Sequence, residues 1–103
     1  MSKFDFSVFY PQYPEIFSTM ADEFTSHQFI LKLAQENQKE YVEALYAYRD
    51  VTRLGKPVPF IFVHREISQG LKNFPKLVEK VGEVSSTDIF GESNGCTLWR
   101  KVK

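Results

Sequence analysis

Five hydrogen-bonding side chains share one side of a segment in the middle of this chain. Across residues 57–74, His64, Arg65, Ser68, Gln69 and Lys72 lie opposite an apolar stripe of Phe60, Val63, Ile67, Leu71 and Phe74, spaced at steps of 3, 4, 4 and 3. A helix of this kind either reads a ligand's polar groups or is an ordinary amphipathic helix with a solvated face. Other chemistries are poorly served. The two histidines, His27 and His64, and the single Cys96 are far apart in sequence, so a zinc site would need ligands from distant segments. Surface or capping roles suit both histidines. Ser85, Ser86 and Thr87 precede Asp88, but no nucleophile elbow or base at a recognisable spacing accompanies them. Turn-forming and capping roles fit them better. The glycines, at 55, 70, 82, 91 and 95, form no phosphate-binding loop. The expectation is a protein that is not an enzyme, with no cofactor, no metal and no small-molecule ligand.

The totals point the same way. A length of 103 residues with 43% hydrophobic and 25% charged residues describes one globular domain. Aromatics reach 16%, including ten Phe and five Tyr, more than one small core readily hides. An exposed aromatic patch, and with it a homodimer or protein partner, is therefore expected. No apolar run is long enough to span a membrane, and the N-terminus lacks a signal core. One cysteine excludes an internal disulfide and fits a reducing cytoplasm. Net charge is zero, but residues 51–103 hold nine basic against five acidic residues, and residues 1–50 hold four against eight. That asymmetry is compatible with a C-terminal half that faces a polyanion, or with ordinary scatter.

The elements that would position these side chains read as follows. Alternation of Phe4, Phe6 and Val8 with Asp5 and Ser7 predicts a short strand, interrupted by Pro11 and Pro14. A helical turn or two follows around Ile16, Phe17 and Met20. Residues 1–24 thus form an aromatic arm that packs on the domain or on a second copy. Thr25 and Gln28 form a capping box, with Phe24 and Phe29 as its hydrophobic staple. Asn37 and Glu40 repeat the capping-box pattern, so two helices are expected, about 26–35 and 38–50, with one long helix as the alternative. Tyr41, Val42, Leu45 and Tyr48 make the second apolar stripe. Residues 51–59 read as a loop. A third helix starts near Pro59 and ends before Pro75, with Gly70 marking a close neighbour. Residues 76–84 fit helix or strand. Ile89–Phe90 and Cys96–Val102 read as a β-hairpin around Gly91–Gly95, with Trp99 on the side opposite Leu98. The fold class expected is α+β and mainly helical, a three-helix core followed by a C-terminal hairpin.

Over residues 25–103 this order resembles the winged-helix superfamily. Val63-His64-Arg65-Glu66-Ile67-Ser68-Gln69-Gly70-Leu71 resembles its recognition helix, Leu77–Val81 the lead into the wing, Ile89–Gly95 the wing tip and Leu98-Trp99-Arg100-Lys101 the returning strand. The segment 51–58 is long for a helix-turn-helix, and residues 1–23 have no counterpart. The resemblance implies double-stranded DNA as partner, read by the third helix in the major groove, with the hairpin on the backbone or minor groove. Under it, Arg65 meets a guanine edge and Gln69 an adenine. Lys72, Lys76 and Lys101 meet phosphates, Ser68 and His64 add hydrogen bonds, and Asn94 sits at the wing tip. A regulatory or accessory role follows. The alternative is a protein-interaction adaptor or dimerisation module that uses an aromatic surface and binds no nucleic acid.

Overall fold

The computed structural model describes residues 4–102, and its first turn departs from the strand expected there. Asp5 caps a 3-10 helix, Phe6–Gln12, its Oδ1 accepting from the Ser7 backbone N–H at 3.0 Å and the Ser7 hydroxyl at 2.6 Å. Three alternating apolar residues are too few to outweigh a good N-cap. Pro11 lies within this 3-10 helix and Pro14 in the first turn of α1 (Tyr13–Thr19), where a missing N–H has no intrahelical partner to lose. Neither proline interrupts the chain as expected. Phe9, Tyr13, Ile16 and Phe17 are buried, so the N-terminal segment contributes to the one core rather than flanking it.

Strand β1 (Glu23–Thr25) leads into α2 (Ser26–Glu36) through the expected capping box. Thr25 Oγ1 accepts from the Gln28 N–H at 3.2 Å, and Gln28 Oε1 accepts from the Thr25 N–H at 2.9 Å. The Phe24 and Phe29 rings of the staple stack at 6.3 Å. A separate helix, α3 (Gln38–Ala47), follows a break at Asn37. The second capping box does not form: Asn37 Nδ2 donates backwards to the Leu33 carbonyl at 3.1 Å, closing α2 instead of opening α3. The buried positions of α3 run through Ala44 to Tyr48, and Val42 points outward, which corrects the stripe read there.

The segment after α3 is not a plain loop. Strands β2 (Thr52–Arg53) and β3 (Lys56–Pro57) form a two-residue hairpin, with Leu54 at φ 53° and Gly55 at φ 80°. Two positive φ values define the type I′ turn that matches strand twist. Helix α4 (Pro59–Gly70) then buries Val63 and Ile67 and tightens into a 3-10 turn at Leu71–Asn73. The last ambiguity resolves to strand: β4 (Val78–Thr87) pairs antiparallel with β5 (Ser93–Lys101), with an irregularity at Val81. Ile89 and Phe90 lie in the turn between them, not in a strand, so the hairpin is longer and begins earlier than its sequence implied. Periodicity misplaced it because half-exposed, charge-bearing β4 residues alternate weakly. Strand β1 pairs with the other edge of β5, giving the sheet order β1-β5-β4. The whole is an α+β fold with four α-helices among the described residues and a C-terminal hairpin. None of these helices is long and apolar enough to cross a membrane.

One contact fixes α4 against the N-terminal segment. The Leu71 N–H bonds to the Ser68 carbonyl as the helix tightens, which leaves the Ile67 carbonyl without its usual i+4 donor. The buried Tyr13 hydroxyl donates to that carbonyl at 2.6 Å. The approach is possible because residue 70 is glycine: a Cβ there would stand 2.5 Å from Tyr13 Oη and 3.0 Å from Tyr10 Cε1. Gly70→Ala therefore destabilises by about 1–3 kcal/mol through overpacking, despite the ~1 kcal/mol that alanine gains in helix propensity. Tyr13→Phe costs about 1–3 kcal/mol by orphaning the buried carbonyl. In urea unfolding the double variant falls short of the sum, since each change removes the other's partner.

Candidate nucleic-acid interface

Helix α4 presents two sides to the rest of the molecule. Its buried side, Val63, Ile67 and Gly70, packs on the core. Its open side carries Ile61, Arg65 and Gln69, continued by Lys72 and then Lys76. Arg65 has its guanidinium 5.5 Å from the Phe62 ring centroid, a distance compatible with a weak cation–π contact. The ion pairs among the described residues are Lys32–Glu36, Arg49–Asp50, Lys80–Glu83 and Arg100–Glu79. Arg65, Lys72 and Lys76 take part in none of them. Three cations and the Gln69 amide thus face water with no carboxylate claiming them.

The other residues singled out by sequence have internal partners. Ser68 Oγ lies 2.8 Å from Ser26 Oγ, which also accepts from the Trp99 indole N–H at 3.0 Å. Ser26 and Trp99 are buried, so this chain of hydroxyls links α4, α2 and β5 through the core. Lys101 Nζ donates to the Met20 carbonyl at 2.6 Å, and its backbone N–H to the Asp22 carbonyl at 2.8 Å. It ties the last strand to the start of β1. Asn94 Nδ2 donates to Asp88 Oδ2 at 2.8 Å. Asp88 organises the hairpin turn: Oδ1 also accepts from the backbone N–H groups of Phe90 and Glu92 at 2.9 and 3.0 Å. The Glu92 hydrogen bond is the largest influence on its carboxyl, and with the others it holds the pKa below the usual carboxylate value.

His64 lies in an aromatic cluster rather than on the open side. Its Nε2 is hydrogen-bonded to the Tyr41 hydroxyl, and its ring stacks against Tyr41 at 5.8 Å and Phe90 at 6.2 Å, with Phe60 tilted at 5.8 Å. Burial lowers the His64 pKa to about 4; the Asp88 charge opposes this and His27 adds to it. Burial likewise pushes Tyr41 up to about 12. Both groups are therefore neutral at pH 7. His27, read as a surface or capping residue, instead has its Nδ1 buried with no hydrogen-bond partner among the described residues. His/Cys/Asp/Glu groups able to hold a metal do not occur among those residues.

Sequence reasoning missed Tyr41, Phe60 and Phe90 as neighbours of His64, and Ser26 as the partner of Trp99. A buried indole N–H must find an acceptor, so Trp99 carried a signal that a hydroxyl lay opposite it. Phe60 lies one turn before His64 on α4, but nothing local joined that pair to Tyr41 in α3 or to Phe90 in the turn between β4 and β5. Compared with known proteins, the chain matches no family model, no curated protein and no solved structure.

The His64 environment has a consequence for stability. Below pH 6.5 the unfolded chain protonates this histidine, while the folded chain does not until about pH 4. The unfolded state thus binds more protons throughout that window, and stability falls as pH drops through it. The loss amounts to about 2 kcal/mol, allowing for the ring's partial exposure, and is complete near pH 4. Chemical denaturation from pH 7 to 4 measures this slope, and His64→Phe, which retains an aromatic ring, flattens it.

Proposed function

We propose that this chain is a small, non-enzymatic, winged-helix-like protein of the cytoplasm that binds double-stranded DNA in a regulatory or accessory role. The observation that carries this reading is the row of unpaired cations on the open side of α4 and the turn after it. The connectivity supports it as well. A strand between α1 and α2 joins the C-terminal hairpin to give the order β1-β5-β4, and α4 leads towards that hairpin through the 3-10 turn at Leu71–Asn73. In this reading Arg65 and Gln69 meet base edges in the major groove, and Lys72 and Lys76 hold phosphates. Ser68, Lys101 and Asn94 have structural partners and serve to set the pose of α4 and the hairpin. His64 does the same from within its aromatic cluster.

Anisotropy with a labelled random duplex tests this. Binding is expected at micromolar protein in low salt, with log K falling against log salt at a slope of about −2 or steeper, since Lys72 and Lys76 reach phosphates. Arg65→Ala with Lys72→Ala weakens binding at least about tenfold and, through the lost Lys72 phosphate contact, makes the slope shallower by about 1. Binding that is absent, or unchanged in this variant, overturns the proposal.

A second reading rests on a different observation. Phe60 and Phe90 meet edge to face at 4.8 Å while remaining 40% and 57% exposed. Phe4, Phe6 and Phe9 of the N-terminal segment instead pack on one another, and Phe6 on Tyr48. If the chain is an adaptor or dimer, Phe60 and Phe90 are its anchors. Sedimentation would then show a dimer insensitive to salt that Phe90→Ser converts to monomer; a monomer at every concentration excludes self-association through this face.

A further inference from the structure

The β2–β3 hairpin breaks three local rules within its short span. Leu54 adopts φ 53°, a left-handed conformation that side chains other than Asn, Asp and Gly rarely take. Its side chain is 96% exposed, the most open of the large hydrophobic residues. Arg53 and Lys56 face each other as direct cross-strand partners, so two like charges share one side of the ribbon. Neither side chain has an ion-pair or hydrogen-bond partner among the described residues. The ribbon itself is well closed at its base, where the Val58 N–H donates to the Val51 carbonyl at 2.7 Å. A stable stem that carries a strained, solvated leucine between two unpaired cations has a shape suited to a ligand that is anionic outside and apolar within. Violations of this kind, with no compensation inside the fold, concentrate at functional sites.

We propose that this hairpin is a wedge for duplex DNA: Leu54 enters the minor groove and parts a base step, while Arg53 and Lys56 hold the phosphates on either side. The inference rests on the DNA-binding reading above and adds a second contact to it. Two strands lie about 4.8 Å apart before side chains are counted, and an undisturbed minor groove is only about 6 Å wide. The ribbon therefore cannot slide in. Only its apolar tip enters, and it opens and kinks the duplex as inserted leucines do elsewhere. The hairpin leads into α4 through Val58 alone, so wedge and reading helix are coupled by a short, ordered joint.

The test uses the full chain and a duplex labelled at both ends, read by anisotropy for affinity and by energy transfer for bending. Leu54→Asn is the informative variant, because Asn-Gly is the preferred type I′ pair and the substitution keeps or improves the fold. The wild type is expected to shorten the end-to-end distance. Leu54→Asn is expected to lose that bend and bind about tenfold more weakly, in line with an exposed leucine gaining an apolar site. Arg53→Ser with Lys56→Ser lowers affinity and salt dependence together. If Leu54→Asn binds and bends as the wild type does, while Arg65→Ala with Lys72→Ala abolishes binding, the wedge is wrong and the DNA reading stands. If the wild type binds no duplex, both fall. Leu54-dependent binding to vesicles of anionic lipid, without duplex binding, would overturn the wedge and assign the tip to a membrane surface.

Discussion

The Tyr13 hydroxyl on the Ile67 carbonyl is the contact on which the arrangement of this molecule depends. It satisfies an acceptor that α4 leaves open when it tightens at Leu71, and it does so inside the fold, where an unsatisfied carbonyl is costly. The Tyr13 ring in turn packs against Phe17, Phe29 and Phe74, at 6.2, 4.7 and 5.2 Å between centroids. One side chain therefore places α1, α2 and the exit from α4 relative to each other. Gly70 is the condition for all of it, since any Cβ at that position meets the hydroxyl. The register of α4 is fixed by this constraint at its C-terminal end, and by the Ser68–Ser26–Trp99 chain at the adjacent residue.

These two anchors decide which residues of α4 remain available. With Ile67 held on Tyr13 and Ser68 on Ser26, the helix cannot rotate to offer Ser68 or His64 to a ligand. Arg65 and Gln69 are directed outward by the same restraint. The open side of the helix is thus a consequence of core packing and not of surface chemistry. Its rigidity bears on recognition: a helix held at fixed rotation can present Arg65 and Gln69 in one geometry, and bidentate contacts reward that.

What was legible in the sequence follows from how local each signal is. The Thr25–Gln28 capping box and its Phe24–Phe29 staple are decided within six residues, and they appear as read. The Pro59 start, the Pro75 stop and the close neighbour at Gly70 are equally local. The strand read at residues 4–8 failed because Asp5 and Ser7, taken as polar alternates, are the capping pair of a 3-10 helix. Residues 76–84 fit either helix or strand because an irregularity at Val81 breaks the period of two. Of the eight site residues, Arg65, Gln69, Lys72 and Lys76 are open to solvent. His64, Ser68, Asn94 and Lys101 are bonded to Tyr41, Ser26, Asp88 and the Met20 carbonyl. Those four partners are distant in sequence or belong to a turn whose position was misjudged. A polar residue on a helical face looks the same in sequence whether its neighbour is water or a buried serine.

The distribution of unfavourable choices separates the two halves of the molecule. Apart from the unpartnered His27 Nδ1, core positions are consistent with one another: α2 is capped, the buried indole and tyrosine have acceptors, and the aromatic rings interlock. From Arg53 to Lys76 the surface is different. There the chain carries a leucine in a left-handed conformation exposed to water, a like-charged cross-strand pair, and three cations without carboxylates. Glu66 is the one acidic residue in that span. In an isolated domain, ion-pairing those cations would bring little stability, because exposed pairs contribute about 0–1 kcal/mol. The positive φ at Leu54 is another matter, since asparagine would relieve it at no cost to the stem. In the proposed DNA complex the parted base step receives the strained leucine at that tip. The same span carries the whole net basic surplus of residues 51–103, the sign that the proposed duplex requires.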